Sequence, residues 1–263
     1  MRMKCKLVML YCVLIYSIGV DSVLGQNVQD ELKEKRISLR TDKVHLGAVL
    51  GYLSEVNDVP IGFEESTLDR ASSEFRFSTN SPGISYFPTE LVNGVLKLRT
   101  NSRSKAPLHP ITLNAENQRL EDILNVIVKQ AEYYKWEVND GVVNIYPKNG
   151  RADRFEQLLN LRIRRFVFEG GSPIWKITTN IKALPEFSAF VGENNLRFTG
   201  VRSGPQSALQ KMYGRRIEEP MSFSDLTFRE LLNRVTKIKR GGWILKWRFV
   251  SKKTCEEFID IDI

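Results

Sequence analysis

The residues through which this 263-residue chain could do chemistry are few. His45 and His109 stand apart, with no HExxH motif and no cysteine pair beside them, whereas a metal centre needs several ligands converging. A structural or surface role is expected for each. "GVRSG" at Gly200–Gly204 evokes a serine nucleophile, but the order is not G-x-S-x-G and no histidine is placed to take the proton. "EGGS" at Glu169–Ser172 could offer backbone amides to an anion at a helix start, yet it lacks the lysine and spacing of a phosphate loop. A cap and turn is the expectation there. Cys255 sits beside Glu256 and Glu257, which disfavour its thiolate. Paired carboxylates for glycoside cleavage depend on a separation that only the fold sets, and no pair stands out. No catalytic residue, cofactor site or metal site is therefore assigned.

Aromatic residues point to contact. Tyr133, Tyr134, Trp136, Trp243 and Trp247 cluster at the ends of two similar segments. Most belong in a core, and wherever strand alternation turns one outward it becomes an anchor for a partner. The candidate contacts are Tyr134, Trp136, Trp243 and Trp247. The strand Trp243–Val250 is the expected free edge.

These residues are carried by a repeated pattern. Three segments begin at Ile37, Ile111 and Met221 with short alternating strands, Ile37/Leu39, Ile111/Leu113 and Met221/Phe223. Each continues with apolar residues at i, i+3, i+4 and i+7, the stripe of an amphipathic helix. The stripes are Leu46, Val49, Leu50, Leu53; then Leu120, Ile123, Leu124, Ile127; then Phe228, Leu231, Leu232, Val235. A further alternating strand follows each helix, at Ile61/Phe63, Tyr134/Trp136/Val138 and Trp243/Leu245/Trp247. Thr227 with Glu230 predicts a capping box on the third helix. Asn139-Asp140-Gly141 predicts a hairpin, because Asp-Gly tolerates the positive φ of a tight turn. A weaker fourth copy has a strand at Ile163–Phe168, a helix capped by Ser172 with Pro173 in its first turn, a face of Ile174, Ile177 and Ile181, and a strand in "NNLRFTG". A duplicated β-α-β module accounts for the recurrence, since one helix on a small sheet leaves a thin core that pairing thickens.

The N-terminus reads as an export signal. Arg2, Lys4 and Lys6 precede an apolar run from Leu7 to Val20, then Asp21, Ser22 and small residues, with cleavage expected after Gly25. The run is short for a span, which takes about 20 apolar residues. Losing Arg2, Lys4, Lys6 and Asp21 lowers the formal charge from +8 to +6, and Cys255 alone of three cysteines remains. A disulfide-held scaffold is excluded. Basic residues are interspersed with acids, as in "RADRFEQLLNLRIRR", so nucleic acid is not an expected partner. An anionic membrane surface or a cell-wall polymer is the expected electrostatic partner if there is one.

"ISLRTDKVHLGAVLGYLSEVNDVPIGFEE" followed by "ITLNAENQRLEDILNVIVKQAEYYKWEVNDGVVNIYP" resembles the short N-terminal domain of secretins and TonB-dependent outer-membrane receptors. That resemblance implies a periplasmic βαβ module that docks protein partners, and it carries over no catalytic residue. Two features depart from the family pattern: Ser66–Pro110 separates the halves, with a strand-like "GVLKLRT" and a Ser/Lys/Pro linker inside it, and the chain ends at Ile263 without a following barrel or gate.

The expectation is an α+β protein of two related units of repeated β-α-β segments, small sheets each covered by amphipathic helices. A signal peptide occupies 1–25, the first unit 26–150 with an insertion at about 66–110, and the second, diverged unit 151–263. The expected function is a non-catalytic, exported envelope adaptor with a protein partner, periplasmic or secreted from a bacterium, and compatible with oligomers. A cell-wall glycan or peptide hydrolase and a carbohydrate-binding module are the alternatives.

Overall fold

A computed structural model describes residues 29–66, 89–98, 110–149, 151, 153–173, 176–198, 216–239, 241–249 and 257–262. The expected signal with Gly25, His109, the Gly200–Gly204 turn and Cys255 lie outside these residues. The chain is α+β, with helices and mixed sheets.

The first unit runs β1 (Arg36–His45), α1 (Leu46–Val56), β2 (Ile61–Glu64), β5 (Pro110–Arg119), α2 (Leu120–Gln130), β6 (Tyr134–Asn139) and β7 (Val142–Pro147). The insertion supplies a hairpin, β3 (Thr89–Val92) and β4 (Val95–Leu98), which lies parallel against β1. The second unit runs α3 (Asp153–Leu159), β8 (Arg162–Phe168), β9 (Ser172–Pro173), α4 (Lys176–Lys182), α5 (Pro185–Glu193), β10 (Leu196–Phe198), β11 (Arg216–Ile217), β12 (Met221–Thr227), α6 (Phe228–Lys239), β13 (Gly242–Phe249) and β14 (Glu257–Asp262). All three stripes are buried, and Val49, Leu53, Leu120, Ile127, Phe228, Leu231, Leu232 and Val235 are fully enclosed.

The two units share one topology. In the first, β1 pairs antiparallel with β5, while β2 lies parallel to β7, which turns back antiparallel to β6. In the second, β8 pairs antiparallel with β12, while β10 lies parallel to β14, which is antiparallel to β13. The joints agree in detail. Lys43, Asn117 and Asp225 each lie three residues before a helix start, and each has a positive φ, of 51°, 50° and 54°. Leu120 N–H donates to Lys35 O and Phe228 N–H donates to Leu161 O, both at 2.8 Å, so each helix is tied to the residue before the strand that flanks it.

Helix starts follow local chemistry. Thr227 and Glu230 form the capping box: Thr227 N–H donates to Glu230 Oε2 at 2.6 Å and Glu230 N–H donates to Thr227 Oγ1 at 3.2 Å. His45 is buried and its Nδ1 accepts from Gly47 N–H at 3.1 Å, so it caps α1. Asp140 and Gly141 take φ of 55° and 70°, both positive as a two-residue hairpin turn requires. Ser172 and Pro173 are not a helix cap. They form β9 against β11, where Gly171 N–H also donates to Ile217 O at 2.8 Å, and α4 spans Lys176–Lys182.

The small sheets of the two units meet edge to edge. They make one six-stranded sheet in the order β10-β14-β13-β2-β7-β6, with β13 parallel to β2. Ile61 and Phe63 of β2 face the first core, with Leu50, Leu53 and Ile127. Trp243 and Leu245 of β13 face the second, with Leu231, Leu232 and Val235. Trp243 is in register with Gly62 and Leu245 with Glu64, and alternate residues of a strand point to opposite faces. The two cores therefore lie on opposite faces of the shared sheet.

Candidate interaction surface

The four aromatic candidates fare differently. Tyr134 is buried: its ring lies 5.5 Å from that of Phe63, and its hydroxyl accepts from Ser66 N–H at 2.9 Å. Trp243 is fully buried and donates from Nε1 to Asn233 Oδ1 at 2.9 Å. Neither can meet a partner, which corrects the expectation for both. Trp247 sits on β13 opposite Ile259 of β14, and its side chain lies outside the described residues. The suspected edge is itself an interior strand. β13 is paired with β14 on one side and with β2 on the other, because the second unit's hairpin meets the first unit's β2.

Trp136 remains. It is half-buried on β6, an end strand of the large sheet, and its Nε1 donates to Asn125 Oδ1 at 3.0 Å. This repeats the Trp243–Asn233 bond. Asn125 is five residues into its helix from Leu120, and Asn233 is five residues in from Phe228. Trp136 and Trp243 are thus counterparts, each moored to the helix of its own unit. They differ in one respect: β13 has β2 alongside it and β6 has no further strand among the described residues.

The main chain of β6 shows which groups lie on that open side. Tyr133 O accepts from Lys148 N–H at 2.6 Å, which places the bonded pairs of the antiparallel ladder at Lys135, Glu137 and Asn139. The N–H and C=O groups of Trp136 and Val138 then point away from β7. Two other edges are closed by side chains. Gln130 grips Thr112 of β5 through both N–H and C=O, at 2.9 Å each. On β8, Arg164 N–H donates to Glu186 Oε1 and Asn180 Nδ2 donates to Val167 O, each at 3.2 Å. Such capping blunts an edge against strand addition.

The opposite face of β6 and β7 leads to a charge cluster at the seam of the units. Glu64 of β2 is buried, and Arg151 donates to it from Nε and Nη2 at 2.7 and 2.9 Å. Arg229 of α6 brings Nη1 within 2.7 Å of the same carboxylate, a close ion pair without hydrogen-bond alignment. Tyr146 lies beside this group, its ring centre 5.6 Å from the Arg151 guanidinium and 5.9 Å from that of Arg229. Lys135 Nζ stands 4.8 Å over the same ring. The Tyr146 hydroxyl donates to Glu137 Oε2 at 2.6 Å. Burial, then the Glu137 carboxylate, push its pKa up to about 12, against a smaller opposing pull from the arginines. Sequence reading missed this cluster, since its members come from β2, β6, β7, α6 and the connection between the units. The only trace in the sequence is an acid, Glu64, at the end of an otherwise apolar strand.

The arrangement can hold two units together and can offer a strand edge. Among the described residues no group of His, Cys, Asp or Glu could hold a metal ion. No family model, no curated protein and no solved structure matches this chain.

Proposed function

We propose that this chain is a non-catalytic, exported protein-interaction module of the cell envelope that takes an extended segment of a partner along β6. The observation that carries the reading is the contrast among edges. β5 and β8 have main-chain groups closed by Gln130, Glu186 and Asn180, whereas β6 turns the main chain of Trp136 and Val138 outward beside a half-buried tryptophan. Strand addition draws affinity from such main-chain groups and specificity from side chains beside them. Export is supported by the basic, apolar and small-residue order of the first 25 residues. The repeated strand–helix–hairpin supports kinship with the short N-terminal domain of secretins and TonB-dependent receptors, whose role is docking.

The test is affinity capture of the full-length chain from its native envelope, beside Val138→Pro. Proline at this outward-facing position removes an edge donor while leaving the bonded positions to β7 in place. A protein held by the wild type and lost from a folded Val138→Pro chain supports the reading. Equal retention by both, or turnover of cell-wall glycan or peptide by the wild type, overturns it.

A further inference from the structure

We infer that the occupant of the β6 edge is β10 of a second copy of this chain, so that the protein assembles head to tail through its sheets; this rests on the docking role of β6 proposed above. The chain already contains the junction. In each unit the three-strand sheet ends on one side with a hairpin strand, β6 or β13, and on the other with the strand that follows the first helix or helices, β2 or β10. Inside the molecule the hairpin strand of one unit joins that other strand of its neighbour, as β13 joins β2 in parallel. What remains unjoined among the described residues is the complementary pair, β6 at one end and β10 at the other.

The directions agree. From β10 to β6 the neighbour relations are parallel, antiparallel, parallel, parallel and antiparallel. Two reversals cancel, so β6 and β10 run the same way. A copy shifted along the sheet therefore sets its β10 parallel to β6, the sense of the internal β13–β2 junction. The groups agree as well. Gly241 O, just before β13, and Leu245 O of β13 accept from Ile61 N–H and Glu65 N–H across that junction, at 3.4 and 3.0 Å. Main-chain groups at alternate positions of β13, Trp243 and Leu245 among them, thus face β2. By the tryptophan–asparagine correspondence the counterparts of Trp243 and Leu245 are Trp136 and Val138, the residues whose main chain faces outward on β6.

The half-burial of Trp136 then has a cause. Trp243 is fully buried because β2 lies beside it with Gly62 beneath the indole, whereas Trp136 has the same mooring and no strand beside it among the described residues. The two ends of the chain are different surfaces, so the contact is heterologous. Strand twist of about 20–25° per neighbour turns each six-stranded copy by about 120–150° from the last, which describes an open twisted ribbon.

Sedimentation velocity of the full-length chain over a range of concentrations, together with site-directed crosslinking, tests this. Expected is a mass that rises past two chains in steps of one, and a fall to one chain in Val138→Pro. Crosslinking stands independently of whether that variant folds. In a Cys255→Ser background, Glu132→Cys chains are mixed with Glu193→Cys chains, both positions being exposed and lying just before β6 and β10. A thiol crosslink between the two kinds of chain is expected. Crosslinks between Glu132→Cys chains alone, with growth stopping at two, would show a twofold β6–β6 contact and overturn the inference. A single chain at every concentration overturns it too. If such a monomer still captures another protein through β6, the docking role survives without self-assembly.

Discussion

The Trp243 indole lies against Gly62 of the neighbouring strand, in register across the parallel junction between the two units, so closely that a Cβ on Gly62 would collide with the ring carbons. This contact lies on the strand junction that joins the halves of the protein. It lets a bulky side chain of the second core lie flat on a strand whose other face carries Ile61 and Phe63 of the first core.

Gly62→Ala is expected to destabilise the fold by about 1–3 kcal/mol, the range for overpacking a well-packed site. Urea denaturation measures it as a lower midpoint. In Trp243→Phe the same alanine is expected to cost less, and strict additivity of the two changes would show that the ring is not the obstacle.

The paired tryptophan–asparagine bonds make a controlled comparison. Asn233→Ala leaves the Trp243 N–H buried without its acceptor, a loss of about 1–3 kcal/mol. Asn125→Ala is expected to cost less, because water reaches the half-buried Trp136 indole in its place. Thermal unfolding of the two variants side by side reads the difference. Equal losses would mean that Trp136 is already shielded from water, as it would be in an assembled ribbon, so the comparison is made at dilutions where the chain sediments as one copy.

Glu64→Gln removes the negative charge that Arg151 and Arg229 both contact at the seam. Breaking a buried ion pair by removing one partner costs about 3–5 kcal/mol, since the remaining charges stay desolvated. The arginines are partly exposed, with side chains 21% and 18% accessible, which places the expected loss at the lower end. Glu64→Gln should unfold at lower urea, while added salt should weaken the wild type little because Glu64 itself is enclosed.

Tyr146 should titrate well above the ordinary tyrosine range. Its pKa of about 12 lies above the usual 10.0, so the folded protein keeps a proton that the unfolded chain releases. The stability this group contributes is complete below pH 10 and is lost as pH rises toward 12. Ultraviolet difference titration follows the phenolate directly. Tyr146→Phe should abolish the late step, and Glu137→Gln should bring it to lower pH by removing the carboxylate that opposes ionisation.

The local elements were legible from residue types and their spacing. The stripes at Leu46, Leu120 and Phe228, the Asp140-Gly141 turn and the Thr227–Glu230 box all appear where residue type and spacing put them, because helix periodicity, positive φ and capping are decided within a few residues. The α+β class and the recurrence of the unit follow from those elements. How the units meet depends on contacts between residues far apart in the chain. Alternation along a strand says which residues share a face, yet it does not say which strand lies next to it. Trp243 reads as a candidate edge residue and proves to be enclosed, because the strand that covers it, β2, lies some 180 residues earlier in the chain. Trp136 carries the same local signature and stays half-exposed because β6 ends the sheet. Glu64, Arg151 and Arg229 are likewise unremarkable in sequence and become one cluster only when the two cores take opposite faces of a common sheet. Burial is a property of neighbours, and neighbours distant in sequence are set by the packing of the whole chain.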